Sequence, residues 1–196
     1  MKKLLSSFWI ILLCATLSNA QQDLQISLKN NTEKERQKKS QLERLLKQYD
    51  LSKWILTKSI LIDEHTRIPH SHPVLTLNTD QLDDDLGTLS TFIHEQIHWF
   101  EEANPKQRDK AIEELKKMYP DAPGGPPEGA RDKYSTYLHL IVCYFEYEGM
   151  KQLVGDERAK QVIEGLSRHH YRWIYRTVLS DGSKLKAVFD KQGLKI

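Results

Sequence analysis

His94, Glu95, Gln96, Ile97 and His98 form an H-E-x-x-H pattern, the most chemically specific segment in this chain. On a helix, two residues four apart point the same way, one turn apart. Two imidazoles so placed reach a single zinc ion at about 2.0–2.1 Å. The glutamate that follows the first histidine projects beside them, where it can take a proton from water activated by the metal. The context supports a buried helix from Leu82 to Glu102. Leu82, Leu86, Leu89, Ile93, Ile97 and Phe100 form one apolar stripe. Gly87, Thr91, His94 and His98 form the adjacent stripe, whose small members leave room for a neighbouring element. His94 and His98 are therefore the expected metal ligands, Glu95 the expected general base, and Zn2+ the expected cofactor.

A catalytic zinc needs a third protein ligand. The long apolar helix expected over residues 131–154 offers His139, Glu146 and Glu148. His139 and Glu146 are seven apart, on one face but separated by about 10.5 Å along the axis, so both cannot ligate one ion. Glu146 lies in the apolar run VCYFEY, where an unpaired carboxylate is costly and a metal would explain it. Glu146 is the expected ligand. The alternatives are that His139 ligates while Glu146 orients a histidine, or that Glu146 belongs to a buried ion pair.

HEQIH following a short strand and a helix start resembles the zincin metallopeptidases, over about Val74 to Glu102. The resemblance implies a zincin-like domain that hydrolyses a peptide or protein substrate. It also implies that the strand before the helix, here VLTLN at 74–78, pairs with the extended substrate. The metzincin pattern calls for glycine and histidine at positions 101 and 104, where this chain has Glu101 and Asn104. The gluzincin pattern takes a glutamate from a later helix, which again points to Glu146. That pattern often carries aspartate four residues further on. Met150 stands there, while Glu128 has Asp132 at that spacing beside PGGPP. Zincin-like sites often use a late His or Tyr to stabilise the oxyanion, which makes Tyr171, Tyr175, His169 and His170 candidates. His70 and His72 flank the expected substrate strand and either shape the cleft or are ordinary loop residues.

The elements around these residues read as α+β, mostly α: a small sheet before the H-E-x-x-H helix and several helices after it. Residues 1–20 have the basic, apolar and small-residue layout of a secretory signal peptide with cleavage after Ala20. Residues 21–40 read as a polar N-terminal segment, its first part a loose tail and its run EKERQKK a solvated helix face. Residues 41–196 form the metallohydrolase domain. Strands are expected over Trp54–Ile62 and Val74–Leu77. The stretch PDAPGGPPEG at 120–129 reads as a loop, either a linker or the rim of an active site. Asp156 is expected to cap the next helix, and Asp181–Gly182 to form a turn before a last helix closed by Gly193.

Removal of Lys2 and Lys3 with the leader leaves equal numbers of basic and acidic residues. A neutral chain argues against nucleic acid as a partner, since phosphate contacts dominate that chemistry. No membrane span is expected after leader removal. Cys143 is then the sole cysteine, a buried small hydrophobe by its neighbours. No internal disulfide can form, which leaves stability to the core and a metal. Two other functional classes fit the same residues: a zinc hydrolase acting on a non-peptide bond, and a secreted helical protein that binds zinc without catalysis.

Overall fold

The computed structural model describes residues 23–196, so the expected leader lies outside the described residues. The chain is mixed α and β and mostly helical. Strands β1 (Gln25–Leu28), β2 (Ser59–Ile62) and β3 (Leu75–Leu77) form one sheet in that order, with both pairings parallel. Parallel neighbours need a crossover. Helix α1 (Glu33–Gln48) supplies the first, and the helix-free stretch 63–74 supplies the second. β1 falls where a loose tail was expected. Leu24, Ile26 and Leu28 alternate inward along it, a period-two signal of strand.

α1 opens with a capping box: the Thr32 hydroxyl accepts from the Glu35 amide, and the Glu35 carboxylate accepts from the Thr32 amide. Glu35 also accepts from the backbone of Asn30 and Glu64, tying α1 to the end of β2. Glu35 and Lys38 are buried, so the run EKERQKK is a solvated face only in part. Lys38 Nζ donates to the Asp80 carbonyl at 2.7 Å and to Thr88 Oγ1 at 2.6 Å. Gln41 donates to the carbonyls of Gln81 and Leu82. The stretch before the H-E-x-x-H helix is thereby fastened to α1.

Burial pushes the Lys38 ammonium from an ordinary 10.5 down to about 8, against the opposing pull of Asp80, Asp84 and Asp85. The folded state then holds this proton less tightly than the unfolded chain. Stability therefore rises as pH climbs from about 8 to 10.5. Denaturation midpoints across that range should show wild type gaining on Lys38→Met as pH increases. A constant difference would mean that Lys38 titrates normally.

The expected strand from Trp54 is shorter. Trp54 ends a single 3-10 turn, Ser52–Trp54, and β2 starts only at Ser59. The side chain of buried Gln96 replaces a strand partner here. Its Oε1 accepts from the amides of Leu56 and Thr57, and its Nε2 donates to the Thr57 carbonyl.

Helix α2 (Asp85–Ala103) carries the H-E-x-x-H segment, with Asp84 as its N-cap and Leu82 ahead of it. Helix α3 (Pro105–Met118) follows at once, with proline at its first position, where a missing amide costs nothing. Asn104 does not cap it with its side chain, which donates back to the Phe100 carbonyl. Helix α4 (Lys133–Val154) is the central element. It packs against α2, α3, α5 (Asp156–Leu166) and α6 (Arg172–Gln192), which explains why it is apolar on more than one face. Gly155, at φ 84°, caps α5 where Asp156 was expected. α6 runs through the expected turn with one local departure at Asp181 and ends at Gly193, φ 75°. No helix among the described residues is long and apolar enough to cross a membrane.

Candidate metal centre

The packing of α2 on α4 brings His94 and His98 against His139. One ligand atom from each lies within 4.8 Å of the other two. Ring centroids are 5.2 Å apart for His94 and His98, 5.1 Å for His98 and His139, and 5.7 Å for His94 and His139. A second trio, His94, Cys143 and Glu146, meets the same distance limit. Among the described residues, no such group contains both His98 and Glu146. These five side chains can hold a metal ion.

His94 and His139 each have a hydrogen-bond acceptor at Nδ1, and His98 Nδ1 has a carboxylate at longer range. His139 Nδ1 lies 2.7 Å from the Ser135 carbonyl, which can only accept, so this nitrogen carries the proton and Nε2 carries the lone pair, which faces the Tyr171 hydroxyl at 3.0 Å. His94 Nδ1 lies 2.8 Å from Glu146 Oε2. His98 Nδ1 lies 3.7 Å from Glu101 Oε1. Burial, reinforced by neighbouring histidines, holds His94 well below the usual imidazole range and His139 down to about 3. Both rings are thus neutral, the form that binds metals.

Glu146 is fully satisfied by side chains. Oε1 accepts from Ser90 Oγ at 2.6 Å, and Oε2 from Tyr175 Oη at 3.1 Å as well as facing His94. Burial pushes its carboxyl up to about 7, against those hydrogen bonds. Glu148 is elsewhere, paired with Lys151. Cys143 is free and buried, and burial holds its thiol protonated.

Glu95 is buried yet makes no hydrogen bond to another described residue, and burial with the nearby Glu146 carboxylate pushes it up to about 8. It lines a cleft of about 780 Å³ together with the three histidines. Tyr171, Tyr175 and His170 line the same cleft, while His169 is exposed outside it. Tyr171 Oη stands 3.0 Å from His139 Nε2, and Tyr171 adopts a left-handed backbone at φ 50°. Tyr175 Oη is committed to Glu146.

Two irregular segments wall the cleft. The first is Arg67–Ser71. His70 pairs with Thr76 in an antiparallel bridge, with N–H to carbonyl distances of 3.0 and 2.7 Å. This corrects the expected substrate strand, because the outer edge of VLTLN is already occupied at Thr76. His72 leaves the cleft and stacks on Trp99 at 4.2 Å, while Trp99 Nε1 donates to the Ser71 carbonyl. The second wall is the Pro/Gly loop, of which Pro126, Gly129, Ala130 and Arg131 reach the cleft. It is a fixed rim. The carbonyls of Pro127 and Glu128 accept the first amides of α6, Arg172 and Trp173, and so do the work of a side-chain cap. Gly129 admits no side chain, since a Cβ there would sit 2.6 Å from the Pro123 carbonyl oxygen.

Sequence reasoning singled out His94, Glu95, His98, His139 and Glu146, and these are the residues that assemble. It passed over Ser90 and Glu101, and of the wall Arg67–Ser71 it named only His70. Ser90 and Glu101 stand on the same helix as the motif, one turn from a histidine, which was the available signal. No family model, curated protein or solved structure matches this chain.

Proposed function

We propose that this chain is an exported zinc-dependent hydrolase whose substrate is a peptide bond. One observation carries the reading. Three imidazoles, each with Nδ1 facing an acceptor, converge at a cleft that also presents the unpartnered carboxylate of Glu95. Glu95 opens onto the cleft with no side chain bound to its carboxylate, which leaves it available for proton transfer there.

His94, His98 and His139 would hold the zinc. Imidazole nitrogen suits this ion, and three protein ligands leave a position for water or substrate. Glu146, the third ligand expected from sequence, is assigned to orienting His94. Its two oxygens are engaged by Ser90, Tyr175 and His94, as in the carboxylate–histidine pairs that fix a ligand's tautomer. Zinc bound there supplies Lewis acidity that makes water acidic enough to ionise near neutral pH. Glu95, whose ionised form the charge of a bound zinc would favour against the burial that raises it, would then accept the proton from the attacking water and return it to the departing amine. Tyr171 Oη, which is free of Glu146 and faces His139 Nε2, would be released when that nitrogen takes the metal and would then donate to the oxyanion formed on the substrate carbonyl.

Main-chain pairing with substrate is assigned to Arg67–Ser71 instead of VLTLN. His70 turns its own amide and carbonyl toward Thr76, so the Pro69 carbonyl and the Ser71 amide face the other way. The Pro69 carbonyl and the Ser71 amide have no partner among the described residues and suit an extended peptide.

The test uses zinc-loaded protein on unfolded casein and a peptide library, before and after chelation. Internal cleavage that vanishes with the chelator and returns with zinc is the expected result. Zinc-loaded protein that cleaves nothing would remove the peptidase reading.

A further inference from the structure

Glu101 is a buried carboxylate that the proposed chemistry leaves unused. It stands three residues after His98 on α2, and its Oε1 faces His98 Nδ1 at 3.7 Å. Its Oε2 accepts from Arg108 Nη1 at 3.1 Å. Arg108 belongs to the next helix. The sharp junction at Asn104 folds α3 back so that the guanidinium reaches the last turn of α2, and Arg108 N donates to the Asn104 carbonyl.

We propose that Glu101 is a positioning residue for the metal: its carboxylate holds the Nδ1 side of His98, and Arg108 fixes that carboxylate in place. The proposal rests on the three-histidine zinc reading. Three arguments support it. First, His94 and His139 each have a hydrogen-bond acceptor at Nδ1, and Glu101 is the carboxylate that faces His98 Nδ1, at a distance of 3.7 Å that a small shift of either side chain on metal binding would close. A ring held there cannot swing, and a carboxylate behind an imidazole makes its other nitrogen a better donor to metal. Second, a pair with Arg108 alone would engage one oxygen of Glu101, whereas the other is turned to His98. Third, the adjacent Glu102 is largely exposed and serves His72 instead, so direction on the helix separates the two roles.

The experiment measures zinc affinity by competition with a chelating dye, alongside the melting temperature of the zinc-free protein. Glu101→Gln should bind zinc about 10–100-fold more weakly. Its zinc-free melting temperature should stay near wild type, because the amide oxygen still accepts from Arg108. Glu102→Gln should match wild type in both. If the single variant does not fold, Glu101→Gln with Arg108→Gln removes both charges of the buried pair and should show the same loss of affinity. Cobalt-substituted Glu101→Gln should also show an altered ligand-field spectrum, which a purely structural residue would not cause. Unchanged zinc affinity in Glu101→Gln, with or without a lower melting temperature, would overturn the proposal and leave Glu101 as a brace between α2 and α3. A wild-type protein that binds no zinc would overturn the metal reading itself, a result distinct from the first.

Discussion

Glu95→Gln is expected to keep zinc and the fold while losing about 10²–10⁴-fold in hydrolysis, the usual worth of a positioned general base. The amide is nearly isosteric with the carboxylate but cannot take up a proton. Glu95 has no hydrogen-bond partner among the described residues, so its nearly isosteric replacement breaks no hydrogen bond. The loss should therefore appear in kcat, with zinc content and melting temperature unchanged. Equal rates for the two proteins would remove Glu95 from the mechanism.

The second large effect concerns stability. The described chain has one free cysteine and no disulfide, so a bound ion would add to the packed core a clamp between α2 and α4. With free zinc at about 1,000 times its Kd, linkage stabilises the folded state by about 4 kcal/mol. For a domain of this size that corresponds to about 8–16 °C in melting temperature. His98→Ala and His139→Ala should abolish this zinc-dependent increment. His94→Ala is a less clean test. It strips Glu146 of its imidazole partner inside the core, leaving a buried carboxylate with only the Ser90 and Tyr175 hydroxyls, and adds that cost to the loss of the ligand. Calorimetry with and without chelator separates the terms, and an increment that survives in His98→Ala and His139→Ala would place the ion elsewhere.

The helix bearing the motif was legible because its apolar residues recur at helical spacing and its polar face is small and histidine-bearing. The same reasoning gave α4 and its candidate ligands, His139 and Glu146 foremost. It could not choose between them. His139 and Glu146 share a face, and periodicity reports the face but not the height at which α2 crosses it. That height is set by packing between helices distant in sequence. The burial of Lys38 was illegible for a similar reason, since its acceptors, the Asp80 carbonyl and Thr88, come from another part of the chain. The cleft wall Arg67–Ser71 is irregular backbone, fixed by a single bridge to Thr76. Nothing in the stretch RIPHS encodes that pairing locally. The parallel course of the sheet was equally hidden, because strand patterns state which face is buried and not which way neighbours run.

The most direct measurement is the zinc content of the purified protein beside that of His139→Ala and Glu146→Gln. One ion per wild-type chain, none in His139→Ala, and weakened but retained binding in Glu146→Gln is the predicted outcome. Zinc kept by His139→Ala and lost by Glu146→Gln would contradict the three-histidine centre, as would a wild-type chain that takes up no zinc.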